Sequence, residues 1–211
     1  MTPLPKKGLY AITKTANKSL QQIADAVLAS IKGGAVIIQY RNKHPFRDAH
    51  PLDSRKMATY LLDICRNNNV PLIINDDIKL AASIGADGVH LGKNDGQISE
   101  ARKYLGPESI IGISCYNDLQ RAAAAQEQGA SYVAFGRFFT SRTKPYAPTA
   151  DIETLVKAKQ QLNIPIVAIG GILPENGSQL VAAGADFLAV IDGVFADDPE
   201  QSAKNYARLF Q

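Results

Sequence analysis

Eight short apolar runs, each followed by a stretch with helical spacing, constrain this chain more than any other feature. The runs are Leu9–Thr13, Ala35–Gln39, Leu72–Asn75, Gly88–Leu91, Ile110–Ser114, Tyr132–Gly136, Ile166–Gly170 and Phe187–Ile191. They are nearly continuous in Val, Ile and Leu, as strands become when helices cover a parallel sheet. Helical patterning falls between them at Ser19–Lys32, Ser54–Asn68, Ile78–Ile84, Asn117–Gln128, Ile152–Gln161 and Glu175–Ala183, and a last helix follows Pro199. The dipeptide Gly-Ala precedes every second strand, at Gly34-Ala35, Gly85-Ala86, Gly129-Ala130 and Gly184-Ala185. A glycine there can end the preceding helix in a left-handed conformation, and the alanine permits close packing at a barrel floor. Recurrence at alternate units marks a repeated βαβα module. Eight units favour closure into a (β/α)8 TIM barrel over an open doubly wound sheet. The expectation is one α/β domain over residues 1–211, with its active site at the C-terminal ends of the strands.

The 211 residues suit one such barrel, and a net charge of +3 is too small to argue for nucleic acid. A few cations focused in a pocket for small anions fit that charge equally well. Cys65 and Cys115 stand far apart without a metal-binding pattern, which reads as two reduced, partly buried thiols. The lysines near the N-terminus precede no long apolar run, and no stretch approaches the length of a membrane span. A cytoplasmic location follows as an expectation, with no membrane partner; association of identical chains stays open.

Barrel chemistry gathers where strands end. Strand two ends in Gln39-Tyr40-Arg41-Asn42-Lys43, and alternation points Gln39, Arg41 and Lys43 the same way. An amide and two cations on one side suit a diphosphate; an exposed strand end paired with surface acids is the plainer alternative. Asp76 and Asp95 leave adjacent strands, and two carboxylates completed by phosphate oxygens and water are a common way to hold Mg2+. Either aspartate could instead cap a helix, a role that Asp77 fits better because it precedes Ile78-Lys79-Leu80. Thr140-Ser141-Arg142-Thr143-Lys144 follows strand six and offers hydroxyls and cations for phosphate oxygens, although such loops are also ordinary surface. Gly170-Gly171 and Asp192-Gly193 leave strands seven and eight, where barrels often bind a phosphate through backbone N–H groups. His90, on strand four, reads as a hydrogen-bonded structural residue or as a base. His44 and His50 lie in the long connection Asn42–Asp53, a candidate lid.

Taken in order, these segments resemble thiamine-phosphate synthases. The likeness rests on Gln39-x-Arg41-x-Lys43, Ile73-Ile74-Asn75-Asp76, Gly85 through Gly92 with Asp95, and Ile111-Gly112-Ile113-Ser114. It continues through Gly136 to Ser141-Arg142-Thr143-Lys144 and Ala168-Ile169-Gly170-Gly171-Ile172. The resemblance implies a transferase that joins a hydroxymethylpyrimidine diphosphate to a thiazole phosphate, giving thiamine phosphate and pyrophosphate with Mg2+. It implies Gln39, Arg41, Lys43, Asn75 and Lys144 around the pyrimidine diphosphate, and Asp76 and Asp95 on the metal. Ser114 would sit near the pyrimidine and the departing diphosphate, and Ser141, Thr143, Gly171, Ile191 and Asp192 around the thiazole phosphate. Two positions depart from the family's usual pattern. Ser141 stands where Thr is frequent, which keeps the hydroxyl. Asp192 stands where Ser is common, so its backbone N–H rather than its carboxylate is expected to face a phosphate.

The implied reaction needs stabilisation of charge on departing diphosphate, for which Arg41, Lys43 and Lys144 are suited, and Ser114 lies close by. The sequence displays no Ser-His-Asp or Cys-His set for a protein nucleophile. A dissociative displacement, in which the thiazole nitrogen captures a pyrimidine-methylene cation, is expected. A thiazole tautomerase using His90 as base, and a non-catalytic thiazole-phosphate sensor, are the alternatives on the same scaffold.

Overall fold

The computed structural model describes residues 1–15, 18–42, 51–140 and 149–211, with the side chains of 51–53 left aside. Its strands are β1 (Gly8–Ile12), β2 (Ala35–Tyr40), β3 (Leu72–Asn75), β4 (Gly88–Leu91), β5 (Ile110–Tyr116), β6 (Tyr132–Phe135), β7 (Ile166–Ile169) and β8 (Phe187–Val190). They pair in parallel in sequence order, and β1 closes on β8. The helices are α1 (Leu20–Lys32), α2 (Pro51–Asn67), α3 (Ile78–Ile84), α4 (Ile98–Leu105), α5 (Leu119–Glu127), α6 (Ile152–Gln161), α7 (Pro174–Ala182), α8 (Asp192–Phe195) and α9 (Pro199–Ala207). The expected (β/α)8 barrel is therefore what forms. No helix among the described residues is long and apolar enough to cross a membrane.

Alternation along each strand divides the apolar residues into two cores. Leu9, Ala11, Ile38, Leu72, Ile74, Val89, Ile111, Val133, Ala168 and Leu188 face the helices. Tyr10, Ile12, Ile37, Ile73, Ile110, Tyr132, Ala134, Val167, Phe187 and Ala189 fill the barrel. Each fully buried Leu or Ile contributes about 1.5–3 kcal/mol by leaving water, so the two layers hold the strands rigidly enough to aim their ends.

The Gly-Ala repeat has a physical basis at the floor. Gly85, Gly129 and Gly184 all take positive φ, and the N–H of the following alanine reaches back to the helix at Ala86 to Ala81, Ala130 to Ala125 and Ala185 to Leu180, each near 3 Å. That is the Schellman closure of a helix. The next residue then holds the opening N–H of a neighbouring strand: Asp87 accepts from Leu72, Ser131 from Ile111 and Asp186 from Ile166. The same short segment thus stops a helix and sets strand register.

Three elements differ from expectation. Helix α2 begins at Pro51, not Ser54, because proline is at home in a first helical turn; residues 43–50 of the proposed lid lie outside the described residues. Helix α4 was not among the expected segments, and its N-cap Gln97 makes no side-chain capping bond that would have signalled a start. Helix α8 has four residues, too few for periodicity to reveal.

Candidate active site

The exits of β2 to β5 bring together inward-facing polar side chains. Gln39 has the same parity as Ile37, Asn75 as Ile73, and Ser114 as Ile110, all of which face the barrel interior. Asn75 is in register with His90, and His90 with Gly112.

The segment that follows β1 supplies a clamp for Arg41. The Thr13 hydroxyl accepts from the Arg41 N–H at 3.0 Å, and the Thr15 hydroxyl donates to the Arg41 carbonyl at 3.4 Å. The Arg41 guanidinium is partly buried, and burial lowers its pKa; Asp76 and Asp192 act in the opposite direction by their charge. An arginine remains cationic under such a shift. Its interaction with both carboxylates places the exits of β2, β3 and β8 around one positive centre.

Asp76 adopts φ 65°, a left-handed conformation uncommon outside glycine, while its N–H donates to the His90 carbonyl at 2.8 Å. Asp77 accepts from the Leu80 N–H at 2.8 Å as the N-cap of α3. The two adjacent aspartates thus divide their roles, and the helix cap is not Asp76. Asp95 accepts from the Gly92 N–H at 2.9 Å, which fixes its carboxylate across a short loop. A Cβ at Gly92 would collide with that carboxylate, so the glycine leaves room for it. Among the described residues no group of three or more His, Cys, Asp and Glu side chains could hold a metal unaided. Two carboxylates completed by ligand oxygens remain a fitting donor set for Mg2+.

His90 bridges inward residues rather than standing alone. Its Nδ1 lies 3.0 Å from the Tyr132 hydroxyl and its Nε2 2.9 Å from the Ser114 hydroxyl. The Tyr132 hydroxyl lies 2.7 Å from that of Tyr10, which accepts from the Gln39 amide at 2.8 Å. Burial raises the pKa of both phenols, so both keep their protons. The Ser114–His90 pair escaped the sequence because its members lie on different strands. It does not make a Ser-His-Asp triad, since a neutral tyrosine occupies the place of the carboxylate that would stabilise imidazolium. The Ser114 carbonyl is held by Arg121 Nε at 2.8 Å.

Across the mouth, Gly170 and Gly171 take φ 106° and 65°. The Phe138 and Phe139 N–H groups donate to the Ile169 and Gly170 carbonyls at 3.2 and 3.0 Å. Cβ atoms on the two glycines would strike Arg137, Phe139 and Thr140, so both are needed for this close approach. Ser141, Thr143 and Lys144 lie outside the described residues, as does Lys43. Ile191 packs on the barrel-interior cluster and precedes α8. Asp192 forms an ion pair with Lys14 at 2.7 Å, so its carboxylate has a counter-charge. Lys14 belongs to no motif in the sequence, and its partner Asp192 lies near the other end of the chain; its place directly after Thr13, beyond β1, is the available signal. The backbone role toward phosphate expected of Gly193 needs no positive φ, and its φ is not positive; a Cβ there would collide with the Tyr206 hydroxyl. Its smallness therefore also serves the packing of α9.

The chain matches the family described as thiamine monophosphate synthase over residues 9–194. It belongs to that family. It is 50% identical over 206 residues to the thiamine-phosphate synthase of Nitrosococcus oceani, covering 97% of this chain and 93% of the relative. It is 50% identical over 209 residues to the corresponding protein of Methylobacillus flagellatus, covering 98% and 96%. Among solved structures, thiamine phosphate pyrophosphorylase from Pyrococcus furiosus superposes with a TM-score of 0.83 at 31% identity, covering 97% and 95%. As a member of the thiamine monophosphate synthase family, the chain carries its polar side chains at the exits of consecutive strands of one closed barrel.

Proposed function

We propose that this chain joins a hydroxymethylpyrimidine diphosphate to a thiazole phosphate, yielding thiamine phosphate and pyrophosphate at the exits of β2 to β8. Family membership supports the reaction. The observation that carries the site is Arg41, clamped by the segment after β1, partly buried and facing the charges of Asp76 and Asp192. Gln39, Arg41, Lys43, Asn75 and Lys144 bind the pyrimidine diphosphate. Asp76 and Asp95 hold Mg2+, which when bound neutralises charge on the diphosphate oxygens. Ser141, Thr143, Gly171, Ile191 and Asp192 surround the thiazole phosphate, with Lys14 offsetting the Asp192 carboxylate.

The reaction is a dissociative displacement. The carbon–oxygen bond to diphosphate breaks, the aminopyrimidine carries the positive charge on its methylene, and the thiazole nitrogen then bonds to that carbon. Arg41, Lys43 and Lys144 stabilise charge where it develops on the departing diphosphate, and Ser114 can donate a hydrogen bond there. The strand ends align nitrogen and methylene, a positioning effect. The tautomerase alternative needs His90 as a base, but both its ring nitrogens are engaged by hydroxyls. Residues 1–211 act as one cytoplasmic barrel domain on small-molecule substrates, and self-association is open to measurement.

The test is product formation from the two substrates with Mg2+, with a chelator, and in Asp76→Ala and Asp95→Ala. Metal-dependent thiamine phosphate, reduced at least about 100-fold in each variant, is the expected result. No product from the wild-type protein would refute the reading.

A further inference from the structure

The barrel interior contains an unbroken line of hydrogen-bonding groups running Gln39, Tyr10, Tyr132, His90, Ser114. We propose that Tyr10, Tyr132 and His90 are a positioning relay that ties the hydrogen-bonding direction of Gln39 to that of Ser114. It runs from Gln39 to Ser114, leaving the Ser114 hydroxyl as a donor to the bound diphosphate. The assignment of that ligand rests on the proposed function; the relay's direction does not.

Proton counting sets the alternatives. Each phenol has one proton, and a neutral imidazole has one. In the forward direction Gln39 donates to Tyr10, Tyr10 to Tyr132, Tyr132 to His90 Nδ1, and His90 Nε2–H to the Ser114 oxygen. The Ser114 proton is then left for a ligand, and the Gln39 carbonyl can accept from the pyrimidine amino group. In the reverse direction Ser114 donates to Nε2, Nδ1–H to Tyr132, and Tyr10 to the Gln39 carbonyl. Ser114 would then offer a ligand only lone pairs, and Gln39 only N–H. A mixed pattern either leaves one phenol proton without a partner or sets two lone pairs face to face. Tyr10 is 1% exposed and Tyr132 0%, so no water relieves such a mismatch, and it is disfavoured roughly tenfold or more. The two ends therefore switch together. The Gln39 amide nitrogen is placed toward the Tyr10 oxygen, the arrangement that the forward direction requires, and the His90 tautomer decides between the two directions.

The packing is built for this line. A Cβ on Gly112 would fall on the Tyr132 hydroxyl, so glycine is what admits the phenol of β6 across β5 toward His90. The Tyr132 ring meets Tyr10 edge-on, with centroids 5.8 Å apart, and stacks on His90 at 5.7 Å. Three rings are thus fixed against one another, and their polar atoms have little freedom to find other partners.

The forward direction requires the Nε2–H tautomer of His90, which 15N NMR of the imidazoles reads directly on the protein without substrates. With three histidines in the chain, His90→Gln assigns the signal. Protonated Nε2 with unprotonated Nδ1 is expected in the wild type. Tyr132→Phe removes the donor to Nδ1; it should mix the tautomers and lower kcat roughly tenfold, with KM for the thiazole phosphate unchanged. His90→Gln can still donate to Ser114 and should retain several-fold more kcat than His90→Leu at similar Tm. An Nδ1–H tautomer in the wild type, or Tyr132→Phe with unchanged tautomer and kcat, would overturn the relay. Absence of product from the wild type would remove only the reaction assignment, because the tautomer still decides the relay's direction.

Discussion

Replacing Asp76 separates a metal ligand from a turn residue. The backbone at this position sits at φ 65°, with its N–H tied to the His90 carbonyl. A left-handed conformation costs a side-chain-bearing residue about 1 kcal/mol, somewhat less for aspartate than for alanine. Asp76→Gly removes that strain but frees the unfolded chain, which costs about 0.4–1 kcal/mol. The two terms nearly cancel, so the glycine variant should melt within about 2 °C of the wild type. Asp76→Ala keeps the strain but avoids the entropy cost, so it should melt level with the glycine variant or below it by no more than about 2 °C. If the carboxylate binds Mg2+, both variants should lose about 100-fold or more in kcat/KM, whatever their stability. Thermal denaturation and steady-state assays across a Mg2+ titration provide the two readouts. An Asp76→Gly enzyme that turns over normally would refute the reasoning, because the aspartate would then serve only the turn after β3.

Lys14→Ala should raise KM for the thiazole phosphate about three- to tenfold at low salt with kcat unchanged, since it removes one of the two cations that act on the Asp192 carboxylate, Arg41 being the other; adding Asp192→Ser should restore KM, and equal KM values in single and double variants would contradict this. Gly193→Ala should destabilise by about 1–3 kcal/mol through collision with the Tyr206 hydroxyl, which donates to the Ile172 carbonyl at 3.0 Å; a denaturant cycle with Tyr206→Phe should be strongly non-additive, and additivity would exclude the clash. Burial pushes the Cys65 and Cys115 thiols and the Tyr206 phenol up to about 12. These groups hold protons more tightly folded than unfolded, so stability is complete below about pH 9 and falls as pH rises toward 12; urea midpoints independent of pH over that window would contradict the burial argument.

Local patterns made the barrel legible, whereas contacts across it were not. The eight apolar runs and the alternate Gly-Ala pairs act through neighbours in sequence, and the structure realises them as strands and helix closures. Gln39, Arg41, Asn75, Asp76, Asp95 and Ser114 could be placed at strand exits because parity and position follow from the strand itself. The Asp192–Lys14 pair depends on closure of β8 onto β1, and the Tyr10–Tyr132 contact joins residues 122 apart. Neither distance nor partner is encoded by spacing. Glycine was the least legible residue type: Gly112 and Gly193 are small because Tyr132 and Tyr206 approach them, which only the packed chain reveals.

The tyrosines explain how an apolar barrel ends in a polar mouth. Phenylalanine at positions 10 and 132 would fill nearly the same volume among Ile37, Ile73, Val167 and Phe187. It would also leave the buried Gln39 amide and one nitrogen of His90 without these partners, at about 1–3 kcal/mol for each unsatisfied group. Gln39 and His90 cannot be kept cheaply without the phenols, and the phenols cannot be kept without polar neighbours. The four therefore form one unit whose lower side is ring carbon packed on the apolar interior and whose upper side faces the strand exits. Replacing all four by apolar residues of similar volume should preserve the fold better than replacing Tyr132 alone, because it removes donors and acceptors together. Such a barrel would keep its helices and strands and lose the His90 contact that orients the Ser114 hydroxyl.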